Sequence, residues 1–387
     1  MSRLEELIQQ LCPDGVEWKK IKDHFTRLRG TAITAGKMKE IADEQGDIRI
    51  FAGGKTVINA CEKDIPNANI TRVPSVLVQS RGIIDVVYYE QPFTFKNEMW
   101  AYTSDYNVSV KFLFYYLKNN IEDLRQAAIG MGAMPQISLS ATEEMIIPLP
   151  PLPVQEEIVR ILDTFTESTH NLKEQIQTRR KQYVEYRSNL LDIGMERQPL
   201  KNLIVKGYTG ATPLKSKAEY YENGTIPWLR TQEVCFNDIY STDCFITEEA
   251  LNKTSVKWIP ANCVIVAISG ATAGRCAINK IPLTTNQHCL SLDIDKTKAI
   301  YKFVYYCMCR QNDELIGKKE GARGDLNVSK VLGLKIPCPI LPEQQRIVDI
   351  LDLFEASIAN LELQLKQRQK QYEYYRNRLL DFKKKEE

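Results

Sequence analysis

Two long stretches of the chain carry apolar residues at intervals of seven, as in a coiled coil. In the first stretch, one series of positions starts at Ile158 and a second at Leu162, and each continues for about five heptads. The second stretch repeats both series from Ile347 and Leu351. Beyond its first turn neither stretch contains proline or glycine, so each predicts one helix of roughly 40 residues, about 60 Å long. The predicted seam, meaning the apolar stripe of each helix, consists of Ile158, Leu162, Phe165, Leu172, Ile176, Tyr183, Tyr186, Leu190, Ile347, Leu351, Phe354, Ile358, Leu361, Leu365, Tyr372, Tyr375 and Leu379.

The seam is narrow, so each helix needs one partner helix, and the other copy is the obvious one. An alternative is that the two helices lie on separate domains. The four seam tyrosines are interpreted as packing residues rather than as platforms for base stacking. Charged residues outside the seam are typical of a solvated helix surface; they include Lys173, Glu174, Arg180 and Glu362.

The two helical stretches are copies of each other. Residues 153–192 align without a gap on residues 342–381, an offset of 189, and 21 of the 40 positions are identical. So many identities at one fixed offset indicate an internal duplication. The identical residues, numbered in the first copy, are Pro153, Gln155, Ile158, Val159, Ile161, Leu162, Asp163, Phe165, Ser168, Asn171, Leu172, Gln175, Arg179, Lys181, Gln182, Tyr183, Tyr186, Arg187, Leu190, Leu191 and Asp192.

Each predicted helix follows a proline-rich segment. The sequences are "PLPPLPVQEEIVRILD" at 148–163 and "PCPILPEQQRIVDILD" at 337–352. Prolines favour an extended lead-in, while Pro153 and Pro342 fit the first turn of a helix, where the missing N–H costs nothing. Glutamates next to these prolines place negative charge near the positive end of the helix dipole. Each segment therefore predicts a rigid corner between a globular domain and a helix.

The segments outside the helices predict two related β-rich domains. Residues 17–150 and 197–339 contain the alternation typical of strands, as in "SVLVQS" and "CVIVAISG", followed by a helical stretch. Their last residues align at the same offset of 189, whereas their middles barely match. A shared frame with divergent interiors indicates two domains of one fold that contact different targets.

A short amphipathic helix is predicted at the start of the chain, from Leu4, Leu7, Ile8 and Leu11. We expect it to pack beside the C-terminal end of the chain. The predicted fold class is α+β, with two β-rich domains separated by two long helices in a pseudo-twofold repeat. The predicted divisions are 1–16 (N-terminal helix), 17–152 (first domain), 153–196 (central helix), 197–341 (second domain) and 342–387 (C-terminal helix).

Composition narrows the class of protein only moderately. The chain has 387 residues, with 43% hydrophobic and 26% charged residues, which is typical of a soluble multidomain protein. Its net charge of +2 gives no global indication of nucleic-acid binding, so such an indication must come from local clusters of charge. No apolar run is long enough to span a membrane, and the start does not resemble a signal peptide. We therefore expect a cytoplasmic protein with no membrane partner.

The ten cysteines do not follow the spacing of a disulfide framework or a zinc site. Most lie in apolar runs, which predicts buried, reduced thiols and no metal. Motifs for catalysis are also missing from the sequence: we find no Walker A loop, no H-E-x-x-H and no [DN]-P-P-[FYW]. The chain has three histidines and a few glycine clusters, which are more typical of tight turns than of phosphate-binding loops.

The duplicated corner motifs, each closing a β-rich domain and opening a long helix, resemble the specificity subunit of type I restriction–modification systems. The resemblance covers the whole chain. The first copy departs from the second at Val154 and Glu156, where the second has Glu343 and Gln345.

The resemblance implies a non-catalytic subunit that binds double-stranded DNA. Each target-recognition domain would read one half of an asymmetric bipartite site, and an antiparallel pair of helices would set the spacer. Two methyltransferase subunits would dock on the helices, whose surface charges then become candidate docking residues, and methylate adenine. Restriction subunits carrying a motor would join them. No cofactor is expected on this chain, because S-adenosylmethionine, ATP and Mg²⁺ would belong to the partner subunits.

Candidate DNA contacts are long polar side chains in the divergent parts of the domains. Arginine recognises guanine and glutamine recognises adenine through paired hydrogen bonds, while lysine neutralises phosphate. The candidates are Arg27, Arg29, Lys37, Lys39, Lys55, Arg81 and Lys96 in the first domain, and Lys215, Lys217, Arg230, Gln232, Arg275, Gln287 and Arg323 in the second. For each residue the alternative is an ordinary solvated side chain.

Two alternatives to a restriction subunit stay open. The chain could serve a system that only methylates DNA, or it could be an adaptor whose twin domains bind proteins. The adaptor predicts no DNA affinity, whereas a DNA reader loses affinity steeply as salt rises.

Overall fold

The computed structural model describes residues 3–54, 56–129, 135–192, 196–317 and 325–385. The chain forms two compact units, Met1–Lys173 with Leu363–Glu387, and Glu174–Glu362. Each unit therefore contains one domain and part of both long helices. The five-segment division made from the sequence stays a prediction.

The first part of the chain alternates short strands and helices before one long helix. Its strands are β1 (Glu17–Lys20), β2 (Thr26–Leu28), β3 (Ile48–Phe51), β4 (Val57–Ala60), β5 (Ser75–Gln79), β6 (Asp85–Tyr89), β7 (Phe93–Phe95), β8 (Trp100–Thr103) and β9 (Ile146–Leu149). Its helices are α1 (Arg3–Leu11), α2 (Ile21–His24), α3 (Ala35–Glu40), α4 (Asn107–Asn119), α5 (Ile121–Gln126), α6 (Leu139–Glu143) and the long α7 (Leu152–Asp192).

The second part follows a similar order, with an additional strand and with its first helix after its fifth strand. Its strands are β10 (Arg197–Pro199), β11 (Ile204–Thr209), β12 (Ile226–Leu229), β13 (Asn237–Ile239), β14 (Phe245–Ile246), β15 (Val264–Ala267), β16 (Cys276–Asn279), β17 (Thr284–Thr285), β18 (Cys289–Ile294) and β19 (Lys335–Pro337). Its helices are α8 (Glu248–Lys253), α9 (Tyr301–Arg310), α10 (Asn312–Gly317), α11 (Val328–Leu332) and the long α12 (Leu341–Leu379).

The two domains have related sheet topologies, and the second has one additional edge strand, β13, which pairs parallel with β16. The first has a four-stranded sheet in the order β2-β8-β5-β6 and a three-stranded sheet β4-β3-β7, in which β3 and β7 run parallel. The second has the order β11-β18-β15-β16-β13 and a three-stranded sheet β14-β12-β17, in which β12 and β17 run parallel. In each domain the first and last strands pair with each other, β1 with β9 and β10 with β19. The duplication predicted from the helices therefore includes the domains.

A buried strand in each domain, β5 or β15, lies between two hydrophobic cores. All five side chains of β5 are buried, and they alternate between two cores because successive side chains of a strand point to opposite faces. Val76 and Val78 belong to the core shared with α4, while Leu77 packs with the three-stranded sheet. In the second domain, β15 divides in the same way between the core around α9 and the core beside the three-stranded sheet.

Within each unit the long helices run antiparallel. In the first unit, Phe165 near the start of α7 contacts Tyr372 and Tyr375 near the end of α12, with ring centroids 6.3 and 5.5 Å apart. In the second unit, Phe354 near the start of α12 contacts residues near the end of α7 in the same manner. An arginine lies over each phenylalanine, Arg368 in one unit and Arg179 in the other. The predicted pairing of the two copies is confirmed.

The seam does not serve one purpose along its whole length. Ile158 and Leu162 are fully buried in the core of the first domain, and Ile347 and Leu351 in that of the second. Ile176 is also buried, whereas the other seam residues are partly exposed, and Tyr186 and Tyr375 are about half exposed. The first turns of each helix therefore pack on its own domain, and the later turns pair with the other helix.

A duplicated polar contact fixes each domain to its long helix. The Tyr115 hydroxyl donates to Asp163 Oδ1 at 2.5 Å, and Lys111 Nζ lies 2.8 Å from Asp163 Oδ2. Tyr306 donates to Asp352 Oδ1 at 2.6 Å in the second unit. Burial, followed by the hydrogen bond to the Asp163 carboxylate, raises the pKa of Tyr115. The hydroxyl therefore keeps its proton and stays a hydrogen-bond donor.

The ends of the chain meet in the first unit. Val16 donates its N–H to the Lys383 carbonyl at 2.9 Å, and Lys385 donates to the Val16 carbonyl at 3.0 Å. Leu4 of α1 shares a core with Leu380. The expected packing of the N-terminal helix beside the C-terminal end is confirmed.

Most of the cysteines are at least partly buried, as the sequence predicts. All ten cysteines are free thiols; five are buried, four are half-buried and Cys235 is exposed. Burial raises the pKa of Cys263 to about 12, so its thiol stays protonated. Among the helices within the described residues, none combines the length and apolar character that a membrane span requires.

Candidate nucleic-acid interface

The strand pairings bring four loops of the first domain to one edge. β2 and β5 both end where β8 starts, since Leu28 lies opposite Ala101 and Val78 lies opposite Trp100. In the other sheet, β3 and β7 end together because they are parallel. The short connection from β7 to β8 joins the two sheets at this end. We call the loops that follow β2, β3, β5 and β7 the loop edge of the first domain.

The second domain has an equivalent loop edge. β11 and β15 end where β18 starts, with Thr209 opposite Leu290 and Ala267 opposite Cys289. The parallel strands β12 and β17 end together. The loops that follow β11, β12, β15 and β17 therefore form the loop edge of the second domain. Loops on a rigid sheet scaffold are the usual position of binding residues.

Five of the seven residues predicted for the first domain line two adjoining clefts at its loop edge. One cleft, of about 680 Å³, is lined by Lys39, Arg81 and Lys96. The other, of about 590 Å³, is lined by Arg27 and Arg29. Glu98 lies in the wall of both clefts and therefore connects them.

The cations of these clefts differ in how far they are neutralised. Lys96 Nζ lies 2.9 Å from Glu98 Oε1, and Arg27 Nη1 lies 3.3 Å from Glu143 Oε1. Arg29, Lys39 and Arg81 have no ion pair with any residue of the described ranges, so their charges are available to an anion.

The remaining two predictions for the first domain are less central. Lys37, on α3, is paired with Glu40 at 2.7 Å and is absent from both cleft walls. Lys55 lies outside the described residues.

In the second domain, six predicted residues lie in the loops of the loop edge, and two of them, Lys215 and Lys217, follow β11. Arg230 and Gln232 follow β12, Arg275 precedes β16, and Gln287 lies between β17 and β18. Arg275 Nη1 lies 3.5 Å from the Cys235 thiol. The Thr212 hydroxyl donates to Gln287 Oε1 at 2.6 Å.

The charge of Arg230 is already compensated. Its guanidinium lies 3.7 Å from Glu233 and 3.6 Å from Asp243. Glu233 also accepts the Arg230 backbone N–H at 3.1 Å. These contacts orient the loop, so Arg230 has a structural role whether or not it also meets DNA.

The last predictions lie in the loop after β11 and beyond the described ranges. Lys215 is exposed and has no ion pair with a described residue. Lys217 contacts Tyr220 and Glu219, and the hydrogen bond with the Tyr220 hydroxyl, followed by charge, raises the pKa of Lys217. Arg323 lies outside the described residues.

Sequence reasoning nominated Gln232 and Gln287 but overlooked other amides and the hydroxyls at the loop edges. Asn69, Asn97 and Gln136 line the same cleft as Arg29, and Thr212 holds Gln287. The search favoured long polar side chains, whereas asparagine in a loop is also the ordinary signal of a turn. The duplication could not reveal them from sequence, because the middles of the two domains barely match; the same loop can be compared in both domains only through the backbone.

The described residues of the loop edges present cations, amides and hydroxyls. In the described part of the chain, no group of three or more His, Cys, Asp or Glu side chains is arranged to hold a metal ion. The arrangement can bind phosphate and donate to base edges, as expected for a protein that recognises DNA with two related domains.

Comparison with known proteins gives the family. The sequence matches the family described as "Type I restriction modification DNA specificity domain" twice, over residues 13–179 and 195–370. The chain belongs to this family and is a specificity subunit of the type I restriction–modification kind.

Similar proteins carry the name of specificity subunits. The chain is 34% identical over 408 residues to the type I restriction enzyme EcoR124I/EcoR124II specificity subunit of Escherichia coli, covering 100% of this chain and 98% of that protein. It is 32% identical over 219 residues to the EcoprrI specificity subunit of Escherichia coli, covering 52% and 53%. The resemblance inferred from the duplicated corners is confirmed.

Solved structures share the fold. The S subunit of a type I restriction–modification system from M. genitalium superposes with a TM-score of 0.64, at 18% identity, covering 95% of this chain and 96% of that one. A second solved chain comes from a study of the complex assembly and conformational transition of the type I restriction–modification system. It superposes with a TM-score of 0.53 at 15% identity, covering 95% of this chain and 98% of that one. At these identities the likeness concerns the fold alone, and it confirms the predicted fold class.

Proposed function

We propose that each domain reads one half of an asymmetric bipartite DNA site through its loop edge. The observation that carries this proposal is that two domains of related topology present equivalent loop edges with different side chains. Identical side chains would favour a palindromic site, whereas the cations of the first edge and the amide–hydroxyl pair of the second favour two different half-sites. Phosphate contacts from unpaired cations such as Arg29 and Arg81 would set the register.

In this proposal the chain itself is non-catalytic. It confers specificity on two methyltransferase subunits docked on the long helices, and on restriction subunits with a motor. The long helices fix the spacer because both contribute to both units. S-adenosylmethionine, ATP and Mg²⁺ belong to the partner subunits.

The test is to produce the chain together with a cognate methyltransferase subunit and to map methylated adenines by sequencing. We expect one bipartite motif with two different halves and a fixed spacer. Random methylation, or a palindromic motif, would contradict the proposal.

A binding measurement addresses the adaptor alternative. The purified complex is titrated with DNA containing the mapped site at several salt concentrations, and the affinity should fall steeply as salt rises because cations release counterions from phosphate. A complex without salt-dependent DNA affinity would favour a domain pair that binds proteins.

A further inference from the structure

One turn occupies the same place in both loop edges and exposes a side-chain amide in each. The turn joins β7 to β8 in the first domain and β17 to β18 in the second. Met99 donates its N–H to the Lys96 carbonyl at 2.9 Å, and Cys289 donates to the Asn286 carbonyl at 3.3 Å. Each is a four-residue turn closed by its first and last residues. The second residue of the turn is Asn97 in one domain and Gln287 in the other.

The two turns are held by matching backbone hydrogen bonds. Lys96 donates its N–H to the Phe51 carbonyl and Asn286 to the Leu229 carbonyl, both at 3.0 Å. These bonds tie each turn to the end of the adjacent parallel strand. Asn97 and Gln287 therefore occupy equivalent positions by backbone geometry, although this part of the sequence barely aligns.

The loop that follows β2 in the first domain, and the loop that follows β11 in the second, pack closely against the residue just before this turn. A Cβ atom at Gly30 would lie 2.0 Å from the Phe95 carbonyl oxygen, and one at Gly210 would lie 1.8 Å from that of Thr285. Both positions therefore require glycine. The close approach places the start of each turn in a fixed position, which lowers the entropy lost when a ligand is bound.

The amides themselves are exposed, and one is oriented. Both side chains are exposed to solvent. Gln287 accepts a hydrogen bond from the Thr212 hydroxyl through Oε1, at 2.6 Å, and its Nε2 lies 3.3 Å from His288 Nε2. An amide oxygen accepts two hydrogen bonds and the amide nitrogen donates two, so Gln287 retains both functions for a base. Asn97 lines the cleft that contains Arg27 and Arg29.

We propose that Asn97 and Gln287 are equivalent specificity residues, each of which reads one adenine–thymine pair in the half-site of its own domain. An amide can accept from adenine N6 and donate to adenine N7 at once, a pairing that other bases do not offer in the major groove. Thr212 is a positioning residue for Gln287. This inference rests on the proposed function and adds the base class and the residue that reads it.

The test uses the chain together with its methyltransferase subunits, with methylated adenines mapped by sequencing. Gln287→Ala should relax one adenine–thymine position in one half-site, lowering discrimination there by about tenfold, and Asn97→Ala should do so in the other half-site. Thr212→Val should give a smaller relaxation at the Gln287 position only. Gln287→Glu should shift that position towards cytosine, whose N4 amine a carboxylate accepts. A merely structural role for Gln287 would not produce this change of preference.

Matched controls are exposed asparagines away from the loop edges. Asn107 begins α4, after the opposite end of β8, and Asn252 lies on α8, which follows the opposite end of the three-stranded sheet. Asn107→Ala and Asn252→Ala should leave the motif unchanged. An unchanged motif for both Gln287→Ala and Asn97→Ala, or relaxation only at guanine–cytosine pairs, would overturn the inference. Absence of any bipartite motif with the unmutated chain would instead contradict the proposed function.

Discussion

Two buried glutamines explain why each long helix begins with a fixed corner. Gln344 is fully buried; its Nε2 donates to the Pro339 carbonyl at 2.8 Å and the Lys298 carbonyl at 3.1 Å, and its Oε1 accepts from the Ile300 N–H at 2.9 Å. Gln155 donates to the Pro150 carbonyl at 2.7 Å in the first copy. The side chain thus satisfies one carbonyl of the proline segment in each copy, Pro339 and Pro150, and in the second copy also the Lys298 carbonyl before α9.

Replacement of this glutamine should be costly. Gln344→Ala leaves a buried N–H and two carbonyls without their partner, and we expect a loss of about 2–3 kcal/mol in the free energy of unfolding. Urea unfolding followed by circular dichroism measures this loss. The adjacent Gln345 is exposed and bonded only to Asp349 among the described residues, so Gln345→Ala should change stability by less than about 0.5 kcal/mol. Equal effects of the two substitutions would contradict this role of the corner.

A buried carboxylate at the start of α7, Glu157, should make the free energy of unfolding depend on pH in the acidic range. Glu157 is 4% exposed and bonds Arg160 through both oxygens, at 2.6 and 2.9 Å. The hydrogen bond with Arg160 lowers the pKa of Glu157. Because its folded-state pKa is depressed, Glu157 contributes stability above its ordinary pKa, and this contribution is lost as pH falls through the lowered value.

The matching experiment compares the pH dependence of unfolding in two variants. Glu157→Gln should flatten the loss of stability as pH falls below the ordinary glutamate pKa of 4.5. Its neighbour Glu156 is exposed and has no ion pair with a described residue, so Glu156→Gln should keep the slope of the unmutated chain. The same slope in all three proteins would show that the Glu157–Arg160 pair does not contribute.

For single residues, the sequence shows which positions are identical in the two copies, but it does not show what those residues do in the structure. Gln155 and Gln344 are visible as identical positions of the duplication, yet a polar residue in an amphipathic helix gives no sign that it is buried. Only the fold shows that the domain covers this first turn. The loop-edge residues were chosen as long polar side chains, and Asn97 became visible only through the backbone of the equivalent turn.

The helix pair in each unit depends on a single phenylalanine more than on its neighbours. Phe354 contacts Tyr183 and Tyr186, with ring centroids 6.4 and 5.2 Å apart, and Arg179 lies 5.7 Å from its ring centroid. Aromatic pairs and cation–π contacts add to the burial of its surface. Leu353, the preceding residue, is 73% exposed.

Replacing Phe354 and replacing Leu353 by alanine should therefore have very different effects on the free energy of unfolding. We expect Phe354→Ala to lower the free energy of unfolding by about 2 kcal/mol, less than for a fully buried phenylalanine because the site is partly open. Leu353→Ala should cost less than about 0.5 kcal/mol. Thermal unfolding by calorimetry measures both, and a larger effect at Leu353 would contradict the pairing of α7 with α12.

The period of seven was sufficient to predict both helices and their pairing. α7 and α12 each begin one residue before the predicted proline. The period could not show that Ile158 and Ile347 pack into a domain, because an apolar seam looks the same against a sheet as against a helix. The strand order was also beyond prediction, since parallel pairing of β3 with β7 joins residues far apart in the sequence.

At the scale of the whole molecule, the two units divide both long helices at equivalent points. The divisions fall after Lys173 and after Glu362, which occupy the same position in the two copies. These two points allow the helices to be lengthened without altering either domain. An inserted heptad spans two turns of the 3.5-residue period, so it keeps the seam on the same side of each helix.

Insertion of one heptad at both points should lengthen the spacer of the DNA site and leave both half-sites unchanged. We expect an increase of up to about three base pairs, because seven helical residues add about 10 Å and each base pair rises about 3.4 Å. The inserted residues copy the seven that precede each point, and methylated adenines are mapped with the methyltransferase subunits present. A control with seven glycine and serine residues at both points adds the same length of chain without a helix, and should give several spacers rather than one. If the helical insertion left the spacer at its original length, the long helices would not be what measures the distance between the half-sites.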